Sequence, residues 1–185
     1  MAKKFKSAVS LLLAAALAIC AALPVFASPV LRSPAPFLEK PVTIQSYKYP
    51  SLYLSAPTQM SNYRVYASSV KNARAQTWYI TSYGTDPDGY PLYLIRLNSR
   101  QSVALNIAGD QGALVYDVTL GIPRDQGIHF ADEGGKYGLV LNQHTPMLAL
   151  TCLSSSSTSH GKDVYWRTSG STGQQNDQFW TFKQA

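Results

Sequence analysis

The sequence predicts an all-β fold in which three similar units close into a threefold barrel. Three observations predict it: a Gln-centred motif that recurs at near-constant spacing, short apolar alternations of period two between its copies, and no sustained helical periodicity beyond the first residues. The motif reads Gln76-Thr77-Trp78 and Gln178-Phe179-Trp180, with Gln126-Gly127-Ile128 between them carrying Ile in place of Trp. Successive Gln residues are 50 and 52 positions apart.

Two further markers run in phase. Aromatic residues at the ends of Val-rich segments, Tyr66, Tyr116 and Trp166, are 50 and 50 apart. Each unit opens on an apolar alternation around Leu54, Leu105 and Leu150, spaced 51 and 45, so an indel falls between Gln126 and Leu150.

The chain has 185 residues and a net charge of +6. Lys3, Lys4 and Lys6, an apolar run from Ala8 to Leu23 and the small residues around Val25-Phe26-Ala27 read as a signal peptide over 1–27, which predicts a secreted, extracellular protein. Leu17-Ala18-Ile19-Cys20 departs from a lipoprotein box at Ile19. No later stretch is apolar enough to predict a transmembrane span. Removing the leader takes three lysines and no acid, which lowers the charge to +3. That mild charge and the scatter of Lys48, Arg64, Lys71, Arg74, Arg96, Arg100 and Arg124 argue against a nucleic-acid partner. Cys152 is then the lone cysteine, so no intrachain disulfide forms, and its place beside an apolar alternation reads as core.

In order, 28–41 is dense in proline (Pro29, Pro34, Pro36, Pro41) and predicts an extended linker, with the folded domain over 42–185. The first unit carries strands at Val42-Thr43-Ile44, Leu52-Tyr53-Leu54, Tyr63-Arg64-Val65-Tyr66 and Trp78-Tyr79-Ile80. Thr85-Asp86-Pro87-Asp88-Gly89 is a turn, with Pro presetting one dihedral and Gly supplying positive φ, and it closes that unit. The second runs Leu92-Tyr93-Leu94-Ile95, Val103 to Ile107, Ala113 to Tyr116 and Ile128-His129-Phe130, up to the break at Glu133-Gly134-Gly135. The third runs Tyr137 to Leu141, Leu148 to Leu150, Val164 to Trp166 and Phe179 to Phe182, with serine-rich loops at 154–159 and 169–173. Units of about four short strands cannot bury a face alone, and closure into a barrel removes their open edges. Trp78, Ile128 and Trp180 are then the expected core residues, with each motif Gln anchoring neighbouring backbone.

From Val42 to Phe182 the chain resembles the ricin-B-like (R-type) lectins, a β-trefoil of three repeats of about 45–50 residues. Ser102 to Gly109, then Val115-Tyr116 and Gln126, follow that family's order. The resemblance implies a carbohydrate-binding module without catalysis, cofactor or metal, whose partners are glycans or glycoconjugates. A sugar presents one apolar face and a rim of hydroxyls, so its site needs an aromatic platform and a few planar polar groups. By resemblance these are Asn106, Tyr116, Asp125 and Gln126 in the second unit, and Thr151, Trp166, Asp177 and Gln178 in the third. The first unit offers Ser55, Tyr66 and Ala75, an empty set. The family's opening Asp is replaced by Ser55, Asn106 and Thr151. That departure favours an alternative: a protein-interaction trefoil, such as a toxin's receptor-binding subunit or a secreted inhibitor. Structural readings compete as well, with the strand-end aromatics as barrel lids, the motif Gln residues as architecture and Asp125 as an ion-pair partner of Arg124. His129, His144 and His160 have no metal spacing, and no nucleophile motif is present.

Overall fold

The computed structural model describes residues 31, 33–57, 63–121, 123–141, 143–155, 161–170 and 175–185. The expected leader, His160 and most of both serine-rich loops lie outside them. The described chain is all-β. Its strands are β1 (Pro41–Ser46), β2 (Tyr53–Ser55), β3 (Tyr66–Ser68), β4 (Thr77–Thr85), β5 (Pro91–Leu97) and β6 (Arg100–Ile107). They continue as β7 (Ala113–Asp117), β8 (His129–Asp132), β9 (Tyr137–Leu141), β10 (Leu148–Cys152), β11 (Lys162–Thr168) and β12 (Phe179–Gln184). Two single-turn helices, α1 (Ala73–Gln76) and α2 (Pro123–Gln126), precede β4 and β8.

Antiparallel pairing runs β12–β1, β1–β4, β4–β5, β8–β9 and β9–β12. Between β5 and β8 the ring is completed where Tyr93 and Ile128 exchange both backbone hydrogen bonds, at 3.0 and 2.9 Å. The sheet therefore closes on itself, which leaves no row of unpaired backbone groups around the barrel. The hairpins β2–β3, β6–β7 and β10–β11 extend from it. Their outer edges bridge one another at Ala67–Lys162, Arg64–Leu114 and Gly112–Tyr165. A Cβ at Gly112 would overlap the guanidinium of Arg64, so a side chain there would displace the arginine that spans this junction.

Alternation sets which side chains enter. Val42 and Ile44 of β1, Trp78 and Ile80 of β4, and Val103 and Leu105 of β6 are all buried in one core. At one end Tyr93, Phe130, Tyr137 and Phe182 pack ring against ring, with centroids 5.4–6.1 Å apart. The Pro-rich segment is corrected here. Its described part is not an extended linker, because Phe37 stacks 5.5 Å from Phe182, and Leu38 and Leu31 bridge Ile80 and Ala131. Its prolines disfavour regular pairing but not burial.

Three indoles tie the hairpins to the core. Trp78 donates Nε1–H to Leu54 O (2.9 Å), Trp180 to Leu150 O (2.9 Å), and Trp166 to Asn106 O (3.0 Å), and all three side chains are fully buried. The turn after β4 is held by Asp86, whose Oδ1 accepts from Asp88 N and Tyr90 N while Gly89 takes a φ of 85°. Oδ2 of the same carboxylate lies 3.3 Å from His129 Nε2, with both side chains 1 % exposed. The contact is close enough for attraction but is not aligned as a hydrogen bond. Burial holds His129 below the ordinary histidine value, and Asp86 opposes that only in part.

Two predictions follow from the packing. Trp166→Ala empties a core site and removes the indole bond to the Asn106 carbonyl, so unfolding in urea should show a loss of about 3–5 kcal/mol. Because His129 is held neutral in the fold, the unfolded chain binds more protons below the ordinary value of 6.5. Stability is full above that pH and falls as pH drops through it; His129→Gln should flatten denaturation midpoints measured between about pH 7 and 5.

Candidate functional site

The candidate residues gather around the hairpins and the two helices. On β6–β7, Ala104 lies opposite Tyr116 and Asn106 opposite Leu114, so Asn106 and Tyr116 share the face turned from the core. Leu105 and Val115 fill the other face. Tyr116 is 42 % exposed, whereas Asn106 is buried, with Oδ1 accepting from Ile107 N at 2.6 Å. Asp125, on α2, is half-buried, with Oδ1 3.1 Å from His144 Nε2 and 3.5 Å from Arg124 Nε. The neighbouring Gln126 is fully buried and donates to Asp117 O at 3.1 Å. Its Oε1 has no partner among the described residues, and a Cβ at Gly121 would overlap its amide.

The third unit differs because its register differs. The core-facing pairs are Leu54–Ala67, Leu105–Val115 and Leu150–Trp166, which makes the hairpin spans 13, 10 and 16 residues. Trp166 is thus the counterpart of Val115, not of Tyr116, despite the equal spacing along the chain. It points into the core and cannot be a sugar platform: this corrects the expectation from the sequence. The position matching Tyr116 is held by Arg167, and by Ser68 in the first unit.

Thr151 and Gln178 are likewise spent on structure. Thr151 is fully buried and donates to Ala149 O at 3.0 Å. Gln178 donates to Thr168 O at 3.0 Å and Thr151 Oγ1 at 3.4 Å, and accepts from Gly170 N at 3.3 Å. Gln76 makes the same kind of set, donating to Val70 O and Ser55 Oγ and accepting from Asn72 N, while Asn72 caps α1 through Ala75 N. A glutamine amide that bonds two segments at once is an anchor, and neither Gln76 nor Gln178 is free to hold a ligand.

Asp177 is the polar group of the third unit that keeps spare capacity. It is 1 % exposed; Lys48 Nζ lies 3.5 Å from Oδ2, and Oδ1 has no partner among the described residues. Burial makes it a weaker acid than an ordinary aspartate, raising its pKa, with Lys48 pulling the other way. The loop Tyr47-Lys48-Tyr49 went unread in the sequence, although an aromatic–Lys–aromatic run was visible there. Its rings carry lysines, with Lys136 5.0 Å from the Tyr47 centroid and Lys162 4.9 Å from that of Tyr49. Cys152 nearby is fully buried, and burial pushes its thiol up to about 11, which leaves it protonated and unreactive at neutral pH. Among the described residues no cluster of His, Cys, Asp and Glu is arranged to hold a metal.

A further feature also went unread: a cavity of about 460 Å³ between α1 and the β5–β6 turn, lined by Pro57, Asn72, Arg74, Ala75, Leu97, Ser99 and Arg100.

No protein-family model matches the chain, and no curated protein matches it. Solved structures do. A ricin-B-like lectin of Macrolepiota procera, described in complex with lactose, aligns at a TM-score of 0.55 and 15 % identity over 80 % of this chain and 97 % of its own. The BEL β-trefoil aligns at 0.57 and 13 % identity over 85 % of this chain and 98 % of its own. A mosquitocidal holotoxin aligns at 0.58 and 14 % identity over 78 % of this chain, which spans 16 % of that toxin's length. At such identities the likeness bears on the fold alone: a closed all-β barrel whose backbone is similar to that of β-trefoils.

Proposed function

We propose that the protein is an exported, non-catalytic glycan-binding module: a three-repeat β-trefoil whose working pocket lies on its second unit. Three hairpins, each followed by a glutamine anchor, support the threefold reading. The observation that carries the function is the exposed Tyr116 ring on the same hairpin face as Asn106, with Asp125 on the adjoining α2. Such a ring takes the apolar face of a pyranose, while the Asn106 amide and the Asp125 carboxylate take hydroxyls. Asp177, with its unpartnered Oδ1, is the third unit's contribution. Thr151, Trp166, Gln126 and Gln178 serve by supporting the fold. One shallow pocket binds weakly, so adhesion needs several pockets or attachment to another protein.

The second reading, a protein-interaction trefoil, draws on the opening positions. Ser55 and Thr151 are buried and bonded to the motif glutamines, so no carboxylate meets a sugar there. A protein partner captured in equal amounts and unmoved by added sugars favours that reading over the first.

The test is titration calorimetry and a broad glycan array, with lactose among the ligands. Tyr116→Ala should weaken binding ~10-fold, the loss of one aromatic platform. Because the ring is exposed, the unfolding midpoint should stay within ~0.5 kcal/mol of the parent. No binding to any glycan on the array sinks the proposal.

A further inference from the structure

The cavity between α1 and the β5–β6 turn differs in charge from the two pockets above. Two arginines line it, and no acid does. Both guanidinium groups are exposed, and among the described residues neither forms an ion pair, whereas Arg64 and Arg124 have carboxylate partners. Asp117 feels the field of Arg100 without pairing to it. The walls are fixed: Ser99 Oγ donates to Arg74 O at 2.8 Å, Asn98 N donates to Thr77 O at 2.9 Å, and Asn72 caps α1. The two arginines therefore face one space from anchored backbone, which reduces the ordering cost of binding.

The reason for the missing counter-charge is legible in the motif. The residue before the anchoring glutamine is Asp125 in the second unit and Asp177 in the third, and these carboxylates meet Arg124 and Lys48. In the first unit that residue is Ala75, whose methyl lines the cavity. A methyl where the other units have a carboxylate leaves both volume and uncompensated positive charge. An oxyanion supplies the missing charge, and a guanidinium fork binds carboxylate or sulfate oxygens in pairs. Ser99, Asn72 and the apolar edge of Leu97 and Pro57 suit the ring that bears such a group.

We infer that this cavity is a second, separate site for an acidic saccharide, one carrying a sulfate or a uronic carboxylate. The inference rests on the glycan-binding reading for its saccharide half, and its failure is separable from failure of that reading. The experiment is calorimetry on the whole chain with a sulfated and a uronate oligosaccharide in separate arms, and with lactose as the neutral probe. Expected is binding of at least one acidic probe that weakens tenfold or more in Arg74→Ala/Arg100→Ala and is weakened also in Arg74→Lys/Arg100→Lys, which keep charge but lose the fork. Ala75→Asp, which restores the carboxylate of the other two units, should abolish it while leaving any lactose binding unchanged. Lys40→Ala/Lys183→Ala removes two exposed charges elsewhere and should have little effect. The inference is overturned by no binding of either acidic probe at millimolar concentration, or by equal losses in the arginine and lysine double variants. It is overturned too if binding survives Ala75→Asp in a chain whose circular dichroism matches the parent. Lactose binding with no acidic-probe binding overturns this inference alone; acidic-probe binding with no neutral glycan of the array bound overturns the second-unit pocket alone.

Discussion

Three indole N–H groups, each donating to a backbone carbonyl within an opening strand, are the constraint on which the rest of the molecule depends. Strands of three to nine residues make hairpins too small to bury a face alone, and an indole supplies both the bulk to fill the gap and a donor to a backbone carbonyl across it. Trp78 and Trp180 serve their own units. Trp166 reaches instead from the third hairpin to the second unit at Asn106, where Ile128 stands at the motif position and has no donor to offer. The motif that lost its tryptophan is served by a neighbour.

That substitution explains what the sequence revealed and what it concealed. Every strand from Val42 to Phe182 was legible except β3, expected from Tyr63 to Tyr66 and found at Tyr66–Ser68, because β-branched and aromatic residues alternate and Asp-Pro-Asp-Gly punctuates them. The barrel's closure was legible too, since open edges would be left otherwise. Register was not. Tyr66, Tyr116 and Trp166 are evenly spaced along the chain, but the hairpins that hold them differ in length, and a shift of one residue moves a side chain from surface to core. Equal spacing was an accident of compensating loops. The seating of Phe37 was hidden for another reason, as nothing local marks a proline-rich segment that packs through Leu31, Phe37 and Leu38.

The site follows from the same division of labour. The glutamines, Thr151 and Ser55 are engaged in the fold's own hydrogen bonds, so the proposed recognition rests on what is left: the exposed Tyr116, two acids of different burial and a cavity from which the acid is missing. Sequence reasoning located the acids by their place before the glutamine. It passed over Ala75 as an empty position, although the absence of a carboxylate is itself a change in local charge.

The pairing of β1 with β12 carries one more consequence. Val42 lies opposite Gln184, and Ala185 N donates to Pro41 O at 3.0 Å, so the first and last strands of the barrel end side by side. Their order around the ring is circular, and the point at which the polypeptide is cut is not dictated by packing. Such a body can be spliced into a surface loop of a larger protein through two adjacent stalks, without any strand having to leave its neighbours.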